Sequence, residues 1–188
     1  LVTALIAQEA LDRSPGATVV YDLRSSWVVA EEVRKAGGRS LESRVGHSYI
    51  KTLMREHDAI LGGELSGHYY IRENFFADSA LIAVVKMINL ISSRGGPLSA
   101  IVKPLQRYFA TGEINFEVKD KDAKIEDLAR EFSDGEVYFL DGVSVRYPDW
   151  WFNVRQSNTE PLLRLNLEAK TKDLMEKAQA RVVGVITR

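Results

Sequence analysis

Between residues 100 and 108 the hydrophobic rhythm of this chain changes, and the change divides it into two different kinds of fold. Before it, helical and strand patterns alternate. Leu1-Val2, Leu5-Ile6 and Ala10-Leu11 recur at helical spacing and Ser14-Pro15-Gly16 stops them. Thr18 to Tyr21 is a short apolar run of the buried-strand type. Ser25-Ser26 can cap a helix that Gly37-Gly38 ends, and a strand is predicted near Arg39 to Ser43. Gly46-His47-Ser48 opens a helix ending near His57, and Ala59 to Leu61 reads as another buried strand. A short hairpin is predicted from Tyr69 to Glu73 and a long helix from Asp78 to Ser92, broken by Gly95-Gly96-Pro97. Such alternation implies an α/β layer with a mainly parallel, mixed sheet. After the change, Glu113 to Val118 and Leu162 to Ala169 alternate strictly, as half-solvated strands do. A charged helix (Lys124 to Phe132), three short strands (Glu136 to Leu140, Val143 to Tyr147, Trp150 to Val154) and a closing amphipathic helix (Lys172 to Val185) complete the pattern. Asp141-Gly142 is a hairpin signal. This second part describes a small α+β domain, an antiparallel sheet with helices on one face. The expected domains are residues 1–103 and 104–188.

Composition narrows the function classes. Of 188 residues, 45% are hydrophobic and 27% charged, the balance of a globular chain long enough to bury a real core. A net charge of −1 provides no global field for nucleic acid or an anionic membrane, so neither is expected as a partner and any anion site must be local. With no cysteine there are no disulfides and no thiolate metal sites, and a cytoplasmic location is expected. No apolar run reaches the roughly 20 residues of a membrane span; the longest, Ala80 to Ile91, is interrupted by Lys86 and Asn89. The chain opens without Met and directly on a helical pattern, which reads as a piece of a longer protein.

Three polar segments fall where a mainly parallel sheet places its ligands, beyond the carboxyl ends of strands: Asp22 to Arg24, Arg44 to His47, and Glu64 to His68. In Gly62-Gly63-Glu64-Leu65-Ser66-Gly67-His68, a carboxylate, a hydroxyl and an imidazole stand at alternate positions. An extended loop turns such side chains the same way, toward the hydroxyls of a sugar. The same residues also describe a polar hairpin turn. Gly46 lets the backbone approach a ligand at a helix N-terminus, where His47 can bond a phosphate or carry a proton, or simply cap the helix. Arg24 follows its strand toward the same edge, or lies on the surface. In the second domain, Arg155-Gln156-Ser157-Asn158-Thr159-Glu160-Pro161 gathers a guanidinium, hydroxyls, an amide and backbone N–H groups, with Arg164 flanking it. That set suits a phosphate, although Ser157 and Asn158 can also satisfy their own turn. Trp150-Trp151-Phe152 reads as packing rather than a sugar platform, and His57 as surface. No acidic or histidine set has metal-ligand spacing.

Taken together, the Asp22 strand with a basic residue at 24, Gly46-His47, Gly-Glu-x-Ser-Gly-His, Asp141-Gly142-Val143 and Arg-x-Ser-Asn-Thr-x-Pro resemble, in order, the third and fourth domains of the α-D-phosphohexomutases, the phosphomannomutase/phosphoglucomutase family. The resemblance implies a substrate-recognition half of an enzyme that interconverts hexose 1-phosphates and 6-phosphates through a phosphoserine and a hexose 1,6-bisphosphate. It implies that the phosphoserine and the Mg²⁺ ligands belong to N-terminal domains missing from this chain, which is then inactive alone and has those domains as partners. Substrate contacts would fall on Arg24, Gly46, His47, Glu64, Ser66, His68, Arg155, Ser157, Asn158, Thr159 and Arg164, with His47 a possible proton carrier. The sugar-binding and phosphate-binding loops would face each other across a cleft. Ser-Gly-His and Ser-Asn-Thr look most like the mannose/glucose branch, whereas phosphoglucosamine mutases tend to show Gln at 65 and Gly at 158. The alternatives are a non-enzymatic sugar-phosphate binding module and a fragment of a phosphoglucosamine mutase.

Overall fold

Strand β1 (Thr18–Asp22) is buried along its whole length and sits at the centre of the first sheet, as an apolar run with no polar alternation must. In this computed structural model, which describes residues 1–157 and 160–188, β1 pairs in parallel with β2 (Arg39–Ser43) on one side and β3 (Leu61–Gly63) on the other. Strands β4 (Tyr69–Ile71) and β5 (Ala77–Asp78) extend the sheet antiparallel, giving the order β2-β1-β3-β4-β5. Register places Val19, Leu61 and Ile71 on one face, where helices α1 (Val2–Arg13), α2 (Trp27–Lys35) and α4 (Ala80–Arg94) bury them with Ile6, Leu11, Val33 and Ala83. Helix α3 (His47–Glu56) covers the other face through Ile50 and Met54, against Val20 and Tyr70. Gly62 lies between those two residues, and a Cβ there would meet Met54 Sδ at 2.6 Å.

The expected elements are present, with shifts that have physical reasons. Ser26 caps α2 by accepting from Val28 N at 3.2 Å, while Ser25 turns its hydroxyl to Asp22. The third strand falls two residues later than expected because Gly62 and Gly63 supply its ladder. The hairpin expected from Tyr69 to Glu73 is instead β3-turn-β4, so the Glu64 segment is its turn. After β4, Phe75 and Phe76 both adopt positive φ, 55° and 60°, a region that bulky residues avoid. Helix α5 (Leu98–Val102) and a 3₁₀ turn (Lys103–Leu105) follow.

The chain divides into two units at 107/108, four residues beyond the expected boundary. Arg107 explains the difference: its guanidinium donates to Glu31 Oε2 at 2.6 Å and Glu32 Oε1 at 2.7 Å, tying this segment to α2. Burial pushes the Glu32 carboxyl up, but its bonds to Arg107 and Gln8 and the charges of Lys35 and Arg107 hold it below its ordinary value.

The second unit is an antiparallel sheet of order β6-β10-β9-β8-β7, formed by Phe109–Glu117, Leu162–Ala169, Trp150–Gln156, Val143–Arg146 and Glu136–Tyr138 respectively. Helices α6 (Lys121–Glu131) and α7 (Lys172–Ile186) cover the face carrying Phe152, Val154, Leu163 and Leu165. Helix α6 starts three residues earlier than expected because Asp120 Oδ1 accepts from Ala123 N at 3.0 Å. Phe132 packs edge-on to Phe152 at 4.9 Å, and Trp150 stacks on Tyr147 at 4.6 Å. Trp151 faces the other way and donates from Nε1 to Glu168 at 3.1 Å. All three aromatics of the run are buried in their own unit's packing. Among the described residues no helix is long and apolar enough to cross a membrane.

Two backbone positions test this account. Gly142 has φ 67°, and a Cβ there would lie 2.2 Å from Val154 O. Gly142→Ala is expected to cost about 2 to 4 kcal/mol of stability in urea unfolding, from left-handed strain and overpacking together. Phe75 is 87% exposed, so its side chain contributes little packing. Phe75→Gly is expected to stabilise the chain by about 1 kcal/mol, read as a raised melting temperature.

Candidate functional site

Parallel pairing of β2, β1 and β3 brings their three following loops to one edge of the first sheet. The edge is organised around Asp22, whose side chain is fully buried. Its Oδ2 accepts from Arg24 Nε at 2.9 Å, from Arg24 Nη2 at 2.5 Å and from the backbone N–H of Leu65 at 3.2 Å. Its Oδ1 accepts from Ser25 Oγ at 2.9 Å. One carboxylate therefore fixes its own loop and reaches across to the Glu64 turn. The second loop is fixed by the backbone, since Leu23 N donates to Ser43 O at 3.0 Å.

The Glu64 segment is a closed turn and not the extended loop expected from the alternation of its polar residues. Gly67 N donates to Glu64 O at 3.1 Å and Glu64 N to His68 O at 3.0 Å, with Gly67 at φ 88°. The three side chains consequently do not share one direction. Glu64 is buried, accepts from the Tyr70 hydroxyl at 2.5 Å, and has Arg24 Nη2 3.6 Å from its other oxygen. Ser66 and His68 are exposed and pair with each other, Oγ to Nδ1 at 3.0 Å. Burial, then the hydrogen bond and charge of Glu64, push the Tyr70 phenol far above its ordinary range. It stays protonated and donating at any physiological pH. Beneath the turn, Gly63 is required by Thr3, whose Cγ2 would lie 2.3 Å from an added Cβ.

In the second loop Gly46 takes φ 129° and ψ 140° at the N-cap of α3, and its carbonyl accepts from Tyr49 N and Ile50 N. His47 is exposed at the first position of that helix, where unpaired N–H groups carry partial positive charge. Arg44 stacks over the Tyr49 ring at 4.4 Å. The first unit thus brings Arg24 and Glu64 together as a buried pair. Gly46, His47, Ser66 and His68 stand on neighbouring loops of the same edge.

In the second unit the candidate phosphate loop joins β9 to β10. Arg155 and Arg164 are direct cross-strand neighbours, an arrangement of like charges that needs compensation. Glu113 on β6 supplies it, with Oε2 3.5 Å from Arg155 Nη2 and Oε1 3.0 Å from Arg164 Nη1. Glu160, 53% exposed, takes a second bond from Arg164 at 2.5 Å. Arg155 is only 3% exposed. Ser157 extends the ladder, its N–H donating to Leu162 O at 2.9 Å, while its hydroxyl accepts from Glu160 N at 3.2 Å. Asn158 and Thr159 lie outside the described residues.

Sequence reasoning left three contributors without a role: Asp22, Tyr70 and Glu113. Asp22 carried a signal, a lone acid ending an apolar strand. Tyr70 and Glu113 act through strand register, which no local motif encodes. Among the described residues no three His, Asp or Glu side chains gather as a metal ion requires.

Comparison with known proteins agrees with this division. Residues 1–108 match the model of phosphoglucomutase/phosphomannomutase, alpha/beta/alpha domain III, and residues 113–185 match that of the phosphoglucomutase/phosphomannomutase C-terminal domain. A phosphomannomutase of Methanocaldococcus jannaschii is 42% identical over all 188 residues, which cover 42% of its length. One from Escherichia coli is 34% identical over 97% of this chain and 41% of its own. A crystal structure of a phosphoglucomutase/phosphomannomutase family protein from Burkholderia thailandensis superimposes with TM-score 0.82 at 31% identity, over 99% of this chain and 42% of that one. The chain spans less than half the length of these relatives, and it belongs to the phosphoglucomutase/phosphomannomutase family as its third and its C-terminal domains.

Proposed function

We propose that this chain is the substrate-recognition half of a phosphohexomutase acting on mannose or glucose phosphates. The observation that carries the reading is the locked edge of the first sheet: a buried Arg24–Glu64 pair held by Asp22 and Tyr70, on loops that also present His47, Ser66 and His68. A carboxylate accepts hydrogen bonds from vicinal sugar hydroxyls, and the hydroxyl and imidazole of the same turn offer further partners. The second unit supplies the chemistry for the phosphate that is not reacting. Arg155 provides a planar fork, Arg164 stands directly across from it, and Ser157, Asn158 and Thr159 follow in the sequence. In the whole protein, a phosphoserine outside this chain gives its phosphoryl group to a free sugar hydroxyl. The resulting bisphosphate returns its other phosphoryl group to the serine. Mg²⁺ would be held by the same remainder of the protein and would offset charge on the transferring group. The part of the residues of this chain would be to bind and orient the substrate. His47 is the candidate for holding a proton at the sugar oxygen.

Two measurements test the reading. In an NMR titration of residues 1–188, glucose 1-phosphate or mannose 1-phosphate is expected to shift the amides of Leu65 and Ser66 and those of Arg155 and Ser157. Inorganic phosphate is expected to shift only the second pair. Silence of both loops at millimolar sugar phosphate sinks the assignment. In the complete gene product, Arg155→Lys keeps the charge but loses the fork. It is expected to raise KM for the hexose phosphate roughly ten- to a hundredfold, the equivalent of about 1.5 to 3 kcal/mol, while unchanged kinetics remove Arg155 from the site.

A further inference from the structure

A cavity of about 460 Å³ opens in the first unit, at the end of the sheet away from Asp22 and Glu64. Asp12 near the end of α1, and Lys35 and Ala36 at the end of α2, line it. Those two helices lead into the starts of β1 and β2, whereas the candidate site lies beyond the strands' carboxyl ends. Arg94 from the end of α4, Ile101 from α5, and Pro104 and Leu105 from the 3₁₀ turn close the other side. Leu105 is buried and gives the cavity, with Ile101 and Ala36, an apolar wall. The volume falls within the roughly 300 to 1,000 Å³ of sites for small organic ligands, and a bare inorganic ion would fill little of it.

The polar side of the cavity is a hydrogen-bonded frame. Glu32 is 3% exposed and both its oxygens are occupied, Oε1 by Arg107 and Oε2 by Gln8. Gln8 in turn accepts from Arg94 Nη2 at 2.6 Å, so its amide is fixed at both ends. Arg107 donates its other terminal nitrogen to Glu31. Formal charges around the cavity balance, so what draws a ligand is their placement. Glu31 and Glu32 are committed to Arg107, while among the described residues neither Lys35 nor Arg94 forms a salt bridge. Both are exposed at the mouth, as is Asp12, which can accept from a hydroxyl or amine. An ammonium and a guanidinium beside an apolar wall suit an anionic head joined to an apolar body. We infer that this cavity binds a small organic anion, its head on Lys35 and Arg94 and its body against Ile101, Pro104 and Leu105. It is a second ligand site, separate from the edge that carries Asp22 and Glu64. The inference rests on the cavity and its side chains, and it holds whether or not the chain handles sugar phosphates.

The test is an NMR titration of residues 1–188 with phenyl phosphate, benzoate and inorganic phosphate, read at the amides of Ala36, Ile101 and Leu105. These report separately from Arg155 and Ser157, whose response tests the phosphohexomutase reading. Phenyl phosphate is expected to shift all three and to bind there about tenfold more tightly than inorganic phosphate, because only the ester brings a ring to the apolar wall. Benzoate binding more tightly than phenyl phosphate keeps the site and makes its ligand a carboxylic acid. Lys35→Ala combined with Arg94→Ala is expected to abolish the shifts, with the response of Arg155 and Ser157 to phosphate unchanged. Should that variant lose its dispersed spectrum, Lys35→Gln alone decides, with an expected loss of about tenfold in affinity. Undiminished binding in the variant that keeps its fold overturns the proposal. Silence of the three amides toward all three probes does the same. So does inorganic phosphate binding as tightly as the ester, which leaves only attraction between surface charges.

Discussion

A fully buried carboxylate at the end of a central strand governs what the first unit can present. Removed from water, Asp22 is tolerable only with its oxygens occupied, and its partners are the side chains and backbone of the loops that would contact a ligand. Arg24 is drawn inward and held within reach of Glu64. The Glu64 turn is tethered through Leu65 N and closed through Gly67 and His68. Tyr70 approaches from the adjacent strand and satisfies the other Glu64 oxygen. The loops are thereby preorganised before anything binds, which matters because ordering them at the moment of binding would cost affinity.

The second unit reaches a comparable arrangement by register. Two arginines directly across an antiparallel pair repel, and the neighbouring edge strand places Glu113 against both. Buried beneath the hairpin, Arg155 is held by the sheet, while Arg164 reaches outward to Glu160. The apolar face below, with Phe132, Phe152 and Leu165, keeps these strands in place.

Much of this was legible in the sequence because the signals were local. The change in hydrophobic period marked two folds, Asp141-Gly142 marked the connection between β7 and β8, and the glycines at 62 and 63 accompanied the end of a strand. The features that escaped depend on partners distant in the chain. The boundary moved to 107/108 through an ion pair between Arg107 and α2, some 75 residues away. Alternation of Glu64, Ser66 and His68 suggested a shared direction. A turn bond from Gly67 to Glu64 gave them two environments instead, one buried and ion-paired, the other exposed. No reading of a single segment exposes Tyr70 as the donor to Glu64, since that bond follows from the pairing of β3 with β4.

The pairing of Arg155 and Arg164 with Glu113 and Glu160 has a consequence for any anion that arrives there. Two cations meet two anions, so the hairpin carries its own internal counter-ions. A doubly charged visitor would have to displace a carboxylate already in residence, and Glu160, more exposed than Glu113, would be the one to swing away. Such docking would resemble ion exchange more than simple attraction between opposite charges, and would depend less steeply on ionic strength than binding to two bare arginines.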